Sequence, residues 1–163
     1  MAQVDYFLKI EGVEGESTDK KYPSHIEPAH WSLNEHNGAH FSSDATGGGA
    51  GKVHFSDFAF STKALSKASV PMALGCACGT HFKKAELIAR KAGDVQQEYF
   101  KITMTDVIVS SYQVGGGANV VAVDNVSLAF AKVEFEYKDQ KTTGGAQGGK
   151  VGGGWDLTKN VKV

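Results

Sequence analysis

The glycine-rich run Gly47–Lys52 is the first segment whose residue types suggest chemistry, because a glycine loop ending in lysine can cradle a phosphate. A phosphate-binding loop of this kind needs a glycine five residues before the glycine of its closing Gly-Lys pair and a serine or threonine after the lysine. Thr46 and Val53 occupy those two positions, and a strand rather than a helix is predicted next. No helix N-terminus would meet an anion there. The pattern therefore argues against a nucleotidase or phosphatase, and we interpret the segment as a long loop.

Six histidines and two cysteines are the next candidates, as possible metal ligands. His36 and His40 flank Gly38 and are not joined by a predicted helix. Cys76 and Cys78 lie two positions apart on a predicted helix, so their side chains point in different directions. A zinc site needs three or four convergent ligands. We expect no metal and no disulfide, and we interpret the cysteines as buried structural residues.

A cysteine nucleophile would need an adjacent base and a third group that orients it. His81 follows Cys78 closely, but the sequence identifies no orienting partner, and no G-x-S-x-G motif is present. The sequence therefore predicts neither catalytic residues nor a cofactor.

One predicted strand carries a more informative pattern. Trp31 and Leu33 fall on one face of this strand. The polar side chains on its other face are those of His30, Ser32, Asn34 and His36. When the histidines are neutral this face has no formal charge. It is either an ordinary solvated sheet face or a hydrogen-bonding surface that contacts other polypeptides.

The elements that position these residues are mostly strands. The chain has 163 residues, 41% of them hydrophobic, with 20 glycines and 3 prolines, which suits one domain spanning residues 1–163. Alternating hydrophobicity predicts about eight strands, without the alternating helices of a parallel sheet. The predicted fold class is mainly β: a small antiparallel β-barrel of two packed sheets with one short flanking α-helix.

Local signals refine this prediction. The helix is expected from Val70 to Cys78, with Ser69 as N-cap and Gly79 as its C-terminal stop. Glu14–Lys21 is expected to be an exposed loop, and a change of parity predicts a bulge near Ser56–Asp57. Two further boundaries are predicted: Gly115–Gly117 ends the longest strand, and Trp155 opens a short closing strand.

Charge and hydropathy restrict the partners. The net charge is −1, so nucleic acid is not expected as a partner. No segment approaches the roughly 20 apolar residues that cross a bilayer, so membrane insertion is not expected. Residues 4–10 have the pattern of a strand rather than of a secretory signal.

Several segments, in order and over essentially the whole chain, make the sequence resemble the hemolysin-coregulated protein (Hcp) family, the tube protein of type VI secretion systems. The matching segments are Asp5–Ile10, Gly12–Ser17, Trp31–Ser32, Gly49–Val53, Arg90–Gly93, Glu98–Tyr99, Val109–Ser111 and Gly154–Leu157.

The resemblance implies a β-barrel subunit of a homohexameric ring. Such rings stack into a tube that a contractile sheath drives out of the cell behind a spike protein, and secreted effector proteins are carried and protected in the lumen. It also implies a cytoplasmic protein that is later secreted without a signal peptide. By this analogy Ser32 faces the lumen and contacts effectors, with His30 and Asn34 as weaker candidates.

The resemblance also assigns a role to the predicted loop, which would reach adjacent subunits or the next ring. Its candidate residues are Gly47, Gly48, Gly49, Ala50, Gly51 and Lys52. His36 and His40 depart from the family pattern, and since histidines gain charge near pH 6, ring stacking is predicted to weaken from pH 8 to about pH 5.5. The alternative is a monomeric β-barrel that binds a small ligand or acts as an enzyme.

Overall fold

A computed structural model describes residues 3–39, 49, 51–92, 96–139 and 149–163. It contains one helix, α1 (Ser69–Cys78), in this part of the chain. The strands are β1 (Val4–Ile10), β2 (Pro28–Ser32), β3 (Glu35–Asn37), β4 (Val53–Phe55), β5 (Phe58–Thr62), β6 (His81–Lys91), β7 (Gln97–Gly117), β8 (Val120–Lys138), β9 (Lys150–Asp156) and β10 (Val161–Lys162). No helix of the described residues is long and apolar enough to cross a bilayer.

One antiparallel sheet of eight strands forms most of the molecule. Its order is β1-β6-β7-β8-β5-β2, and β9 pairs with the far end of β8 and carries β10. The sheet curls until its two edges meet at a single bridge, in which Leu8 and Ile26 exchange two backbone hydrogen bonds of 2.8 Å. The predicted mainly β fold with one helix is confirmed. In detail, the barrel-like body is one curled sheet that is not closed by strand pairing, since its edges are joined only at the Leu8–Ile26 bridge, and the second sheet is the small ribbon β3–β4.

The interior of the curled sheet is filled by side chains from alternating positions of its strands. Among the largest fully buried ones are Leu8, Phe58, Leu87, Ile102 and Leu128. This packing is why period-2 hydrophobicity is so clear in the sequence.

Helix α1 begins one residue earlier than predicted, and Ser69 is not its N-cap. Ala68 occupies that position and has no side-chain cap. The Ser69 hydroxyl accepts from the Ser66 N–H at 2.9 Å, outside the helix, and donates to Asp124 at 2.6 Å. Gly79 ends the helix in the left-handed conformation, with φ of 63°, as predicted. Cys76 is half-buried and packs against the core, whereas Cys78 is exposed, so its predicted burial is wrong; both thiols are free.

The change of parity at Ser56–Asp57 is real, but it is not a bulge within one strand. β4 pairs with β3 in the ribbon, and β5 pairs with β2 and β8 in the large sheet. The chain therefore changes sheets at Ser56–Asp57. Ser56 fixes this junction, because its backbone N–H and its hydroxyl both donate to the Asn34 carbonyl at 2.9 Å.

Two predicted strand boundaries are wrong. β7 does not end at Gly115 but continues to Gly117 and turns at Ala118–Asn119 into β8. Asn119 takes the positive φ, 61°, that this tight turn requires. Trp155 does not open a closing strand but lies next to the end of β9, paired with Val133.

The segment Glu14–Lys21 is not simply an exposed loop. It packs on the outer face of β1 and β6, and Ser17 is buried there. Arg90, only 2% exposed, lies beneath this segment. Its guanidinium holds the segment through Asp19, which the alternation of polar residues gave no reason to expect.

Candidate functional site

The outer face of β2, β5, β8 and β7 carries two rows of uncharged side chains that run across the four strands. The first row joins Ser32, Ala59, Ser127 and Ser111, each opposite the next in the pairing register. The second row joins His30, Ser61, Asn125 and Gln113 in the same way. Adjacent strands lie about 4.8 Å apart, so each row spans about 14 Å. We refer to these eight residues as the neutral rows.

The neutral rows line a shallow cavity of about 350 Å³. Hydroxyl, amide and neutral imidazole groups both donate and accept hydrogen bonds. The surface can therefore bind a polypeptide through many weak, directional contacts. It contains no residue that is ionised near neutral pH when His30 is neutral.

Aromatic side chains behind the rows pack this face against the core. Trp31 stacks on Phe58, with ring centroids 6.1 Å apart, and meets Tyr6 edge-on at 5.7 Å. Its ring fixes β2 against the core, so its neighbours His30 and Ser32 must point outward.

A second support lies between β7 and β8. The Tyr112 hydroxyl donates to the fully buried carboxylate of Asp124. Burial, followed by this hydrogen bond to Asp124, raises the pKa of Tyr112 to about 12. Tyr112 therefore stays protonated near neutral pH and links the two strands directly beside Gln113 and Asn125.

A second part of the outer surface of the same sheet, formed by β6, β7, β8 and β9, is densely charged. Lys150 lies 2.9 Å from Glu136, and Lys101 lies 3.6 Å from Glu86. The hydrogen bond from Lys150 lowers the pKa of Glu136 below its ordinary value, although burial opposes the shift. One sheet thus presents a neutral polar surface on one side of the barrel and a lattice of ion pairs on the other.

The structure brings together two of the three residues predicted to contact effectors. Ser32 and His30 lie side by side in the neutral rows. Asn34 lies beyond the end of β2, where its backbone bonds to Ser56, and it does not line the cavity.

Only part of the predicted ring and stacking loop is described. Gly47, Gly48 and Ala50 lie outside the described residues, as does His40. Gly51 and Lys52 lie at the base of the β3–β4 ribbon, and Gly51 approaches Gly38 so closely that a Cβ would come within 2.9 Å of the Gly38 carbonyl oxygen. Gly49 is exposed and has open space where a side chain would lie.

In the ribbon His36 stacks on His54, with ring centroids 5.3 Å apart.

Sequence reasoning missed the residues that β5, β7 and β8 contribute to the rows: Ala59, Ser61, Ser111, Gln113, Asn125 and Ser127. Ala59, Ser61, Asn125 and Ser127 have a readable signal, since they flank the buried residues Phe60 and Val126. Ser111 and Gln113 have a weaker one, since they flank Tyr112, which is half-buried. The signal does not tell which strands are neighbours. A bulge between Val109 and Ser111 adds to the difficulty, because it changes the phase of β7 shortly before the rows.

His81 does have the partner that the sequence left unidentified. Its Nδ1 lies 2.7 Å from the Asp106 carboxylate, and both side chains are exposed. No hydrogen bond joins Cys78 to His81 among the described residues. Nor do three His, Cys, Asp or Glu side chains of the described ranges come together in a way that would hold a metal ion.

Comparison with known proteins gives one consistent result. Residues 7–137 match the family described as type VI secretion system effector, Hcp. The protein hcp1 of Pseudomonas aeruginosa is 40% identical over 162 residues, which cover 98% of this chain and 99% of that protein. Among solved structures, Hcp1 from Salmonella typhimurium superposes over 100% of both chains with a TM-score of 0.81 and 32% identity. A second structure, of a type six secretion system protein, covers 99% of this chain and 100% of its own, with a TM-score of 0.90 and 30% identity.

Proposed function

The chain belongs to the Hcp family of type VI secretion system proteins, and we propose that it forms homohexameric rings that stack into the inner tube of that system. The match over nearly the whole chain supports this role. Before firing the protein is cytoplasmic, and it is then secreted without a signal peptide. Its partners are further copies of itself, the type VI spike and sheath proteins, and secreted effector proteins. Its role is structural rather than catalytic.

The neutral rows are the surface that faces the lumen and contacts effectors. The observation that carries this assignment is the contrast between the two outer faces of the sheet. A lumen lined by repeated charges would attract or repel a passing protein over about 8 Å at physiological salt. Serine, asparagine and glutamine side chains hold cargo through short-range hydrogen bonds, which break and re-form as the cargo moves.

The loop that contains Gly47–Lys52 contacts neighbouring subunits or the next ring. Gly51 and Lys52 support this role because they border an open groove beside the β3–β4 ribbon. Contacts made on stacking must offset roughly 1–2 kcal/mol of conformational free energy for each residue that they order.

Native mass spectrometry and negative-stain microscopy test the ring. A species of six copies with an open centre is expected, and a monomer of 17.3 kDa at all concentrations would contradict the proposal.

Co-expression with candidate effectors tests the lumen surface. Replacing Ser32 by Gln adds length without charge on the neutral rows, and recovery of a bound effector is expected to fall at least tenfold while the rings persist. Thr18→Gln makes the same addition at an exposed position outside the rows and serves as the control. Equal recovery with both variants would argue against the lumen assignment.

A further inference from the structure

The exposed apolar side chains are concentrated at the two ends of β8. Among the described residues, ten large hydrophobic side chains are exposed. The helix–hairpin patch consists of Leu65, Val70, Leu74, Val114, Val120 and Val121. The β9 patch consists of Tyr137 and Val151, which pair with each other across β8 and β9. Val161 and Val163 lie on the other face of β9, where Val163 borders the charged side chains of Glu134 and Lys101, and they belong to neither patch. No residue of the neutral rows belongs to either patch.

The two main elements of the helix–hairpin patch are neighbours, since α1 packs against β7, and neither carries a formal charge. The Leu65 N–H donates to the Ala122 carbonyl at 3.1 Å, which joins the segment before α1 to the tip of the β7–β8 hairpin. Helix α1 contains no charged residue, and neither do residues 113–123. A helix that is apolar on all sides is normally covered by protein, yet Val70 and Leu74 are 65% and 58% exposed.

The hairpin tip also projects beyond its neighbours in the sheet. β6 begins at His81, opposite Ile108, and β5 pairs with β8 only from Asn125 to Leu128. In the described structure, residues 113–123 therefore form a two-stranded ribbon with no strand paired to either outer edge. Exposed, uncharged strand edges are usually covered or blocked by charge in proteins that stay single.

The β9 patch borders a recess. A groove of about 730 Å³ runs between the β3–β4 ribbon and strands β8 and β9. Aromatic rings of Phe55, Phe100, Phe135 and Trp155 line it, and Tyr137 and Val151 lie at its border. The glycines 152–154 leave that side of the groove without side chains.

We propose that the helix–hairpin patch of one copy seats in the groove and β9 patch of a second copy. The two surfaces differ and lie at opposite ends of the long hairpin, so the contact is head-to-tail, as a closed ring or a continuing stack of identical chains requires. The projecting ribbon carries no charge that would meet Glu35, Lys52 or Lys162 at the groove unfavourably. This inference rests on the proposed assembly and names the surfaces that build it.

The exposed area is sufficient for such a contact. The six side chains of the helix–hairpin patch expose on the order of 600 Å², against the roughly 800 Å² that each partner contributes to an interface of standard size. Monomers rarely leave an apolar patch of this extent uncovered. The glycine and alanine backbone of the ribbon supplies the remaining area.

Complementing variants test the proposal. One variant carries Val120→Glu with Val121→Glu, and the other carries Val151→Glu; all three positions are at least 66% exposed, so both variants are expected to fold. Each variant alone is expected to sediment as a monomer. Their equimolar mixture is expected to form a dimer of one chain of each, because each retains the surface that the other lacks. Gln3→Glu adds a charge outside both patches and is expected to assemble like the unchanged protein.

A patch variant that assembles like the unchanged protein overturns this inference but leaves the ring proposal standing. An equimolar mixture of the two folded variants that stays monomeric also overturns this inference. An unchanged protein that never assembles removes the ring and this contact together. Leu74→Glu and Tyr137→Glu replace any variant whose circular dichroism shows misfolding, since both positions are exposed within the two patches.

Discussion

Arg90 on β6 donates from Nη2 to the Asp19 carboxylate at 2.7 Å, across 71 residues of sequence. The same nitrogen lies 3.0 Å from Asp5 on β1, and the guanidinium sits 4.8 Å from the centre of the Phe7 ring. A guanidinium this buried needs compensating charge, and two carboxylates provide it. The Asp19–Arg90 pair therefore fixes the segment before β2 against the outer face of the sheet, and with it the direction in which β2 begins.

Acid is expected to weaken this attachment. The hydrogen bond from Arg90 lowers the pKa of Asp19 from 3.8 to about 2. Because the folded-state pKa is depressed, the ion pair contributes stability above pH 4 and loses it as the pH falls from about 4 to 2. The contribution is about 1–2 kcal/mol, allowing for the partial exposure of Asp19. Urea unfolding at pH 7 and pH 3 measures it.

Asp19→Asn supplies the comparison. The variant is expected to be less stable than the unchanged protein at pH 7, and the difference is expected to shrink at pH 3. Asp139→Asn changes an exposed carboxylate and serves as the control. A stability difference for Asp19→Asn that is the same at both pH values would contradict the assignment.

Asp124 is expected to be a strong stabilising residue despite its charge. It is fully buried and accepts hydrogen bonds from the hydroxyls of Ser69 and Tyr112. In Asp124→Asn one hydroxyl loses its acceptor, so we expect a loss of about 1–3 kcal/mol in the free energy of unfolding.

A spectroscopic titration separates this effect from a general loss of packing. Removing the negative charge at Asp124 is expected to lower the pKa of Tyr112 from about 12 towards its ordinary value of 10.0, which ultraviolet absorbance at high pH reports. Asp139→Asn is expected to leave both stability and titration unchanged. A Tyr112 titration unaffected by Asp124→Asn would show that the hydrogen bond does not form.

Ser111 is expected to act like Ser32, although 79 positions separate them. Both lie in the first of the neutral rows, joined through Ala59 and Ser127. Ser111→Gln is therefore expected to reduce effector recovery at least fivefold without changing the ring, while Thr18→Gln has no effect. Retention of full recovery by Ser111→Gln together with its loss in Ser32→Gln would restrict the contact to β2.

The sequence predicts those elements whose determinants are local. β6 is predicted with its observed ends, His81 and Lys91, because Ala85, Leu87 and Ala89 recur at every second position and glycines stand near both ends. Gly79 is recognisable as a helix stop because few other residues tolerate positive φ. These signals need no knowledge of which strands are neighbours.

The wrong predictions arise where a residue or strand far away in the sequence determines the local structure. Ser69 looks like an N-cap, but its hydroxyl accepts from the Ser66 N–H outside the helix and donates to the buried Asp124, a partner 55 positions away. Gly115–Gly117 looks like a break, but pairing with β8 carries the strand through it. The neutral rows are assembled from four strands, so only Ser32 and His30, on the strand with the clearest alternation, were identified.

Gly154 is expected to be required for the joint between β8 and β9, whereas Gly153 is not. A Cβ at Gly154 would lie 2.5 Å from the Val133 carbonyl oxygen and 2.7 Å from the Glu134 side chain, but a Cβ at Gly153 would meet nothing within 4 Å. Since the Val133 carbonyl is backbone, Gly154→Ala must displace β9, at a cost of about 1–3 kcal/mol. Gly153→Ala is expected to be neutral or to stabilise by up to about 1 kcal/mol. Urea midpoints of the two variants decide, and equal midpoints would mean that β9 adapts without strain.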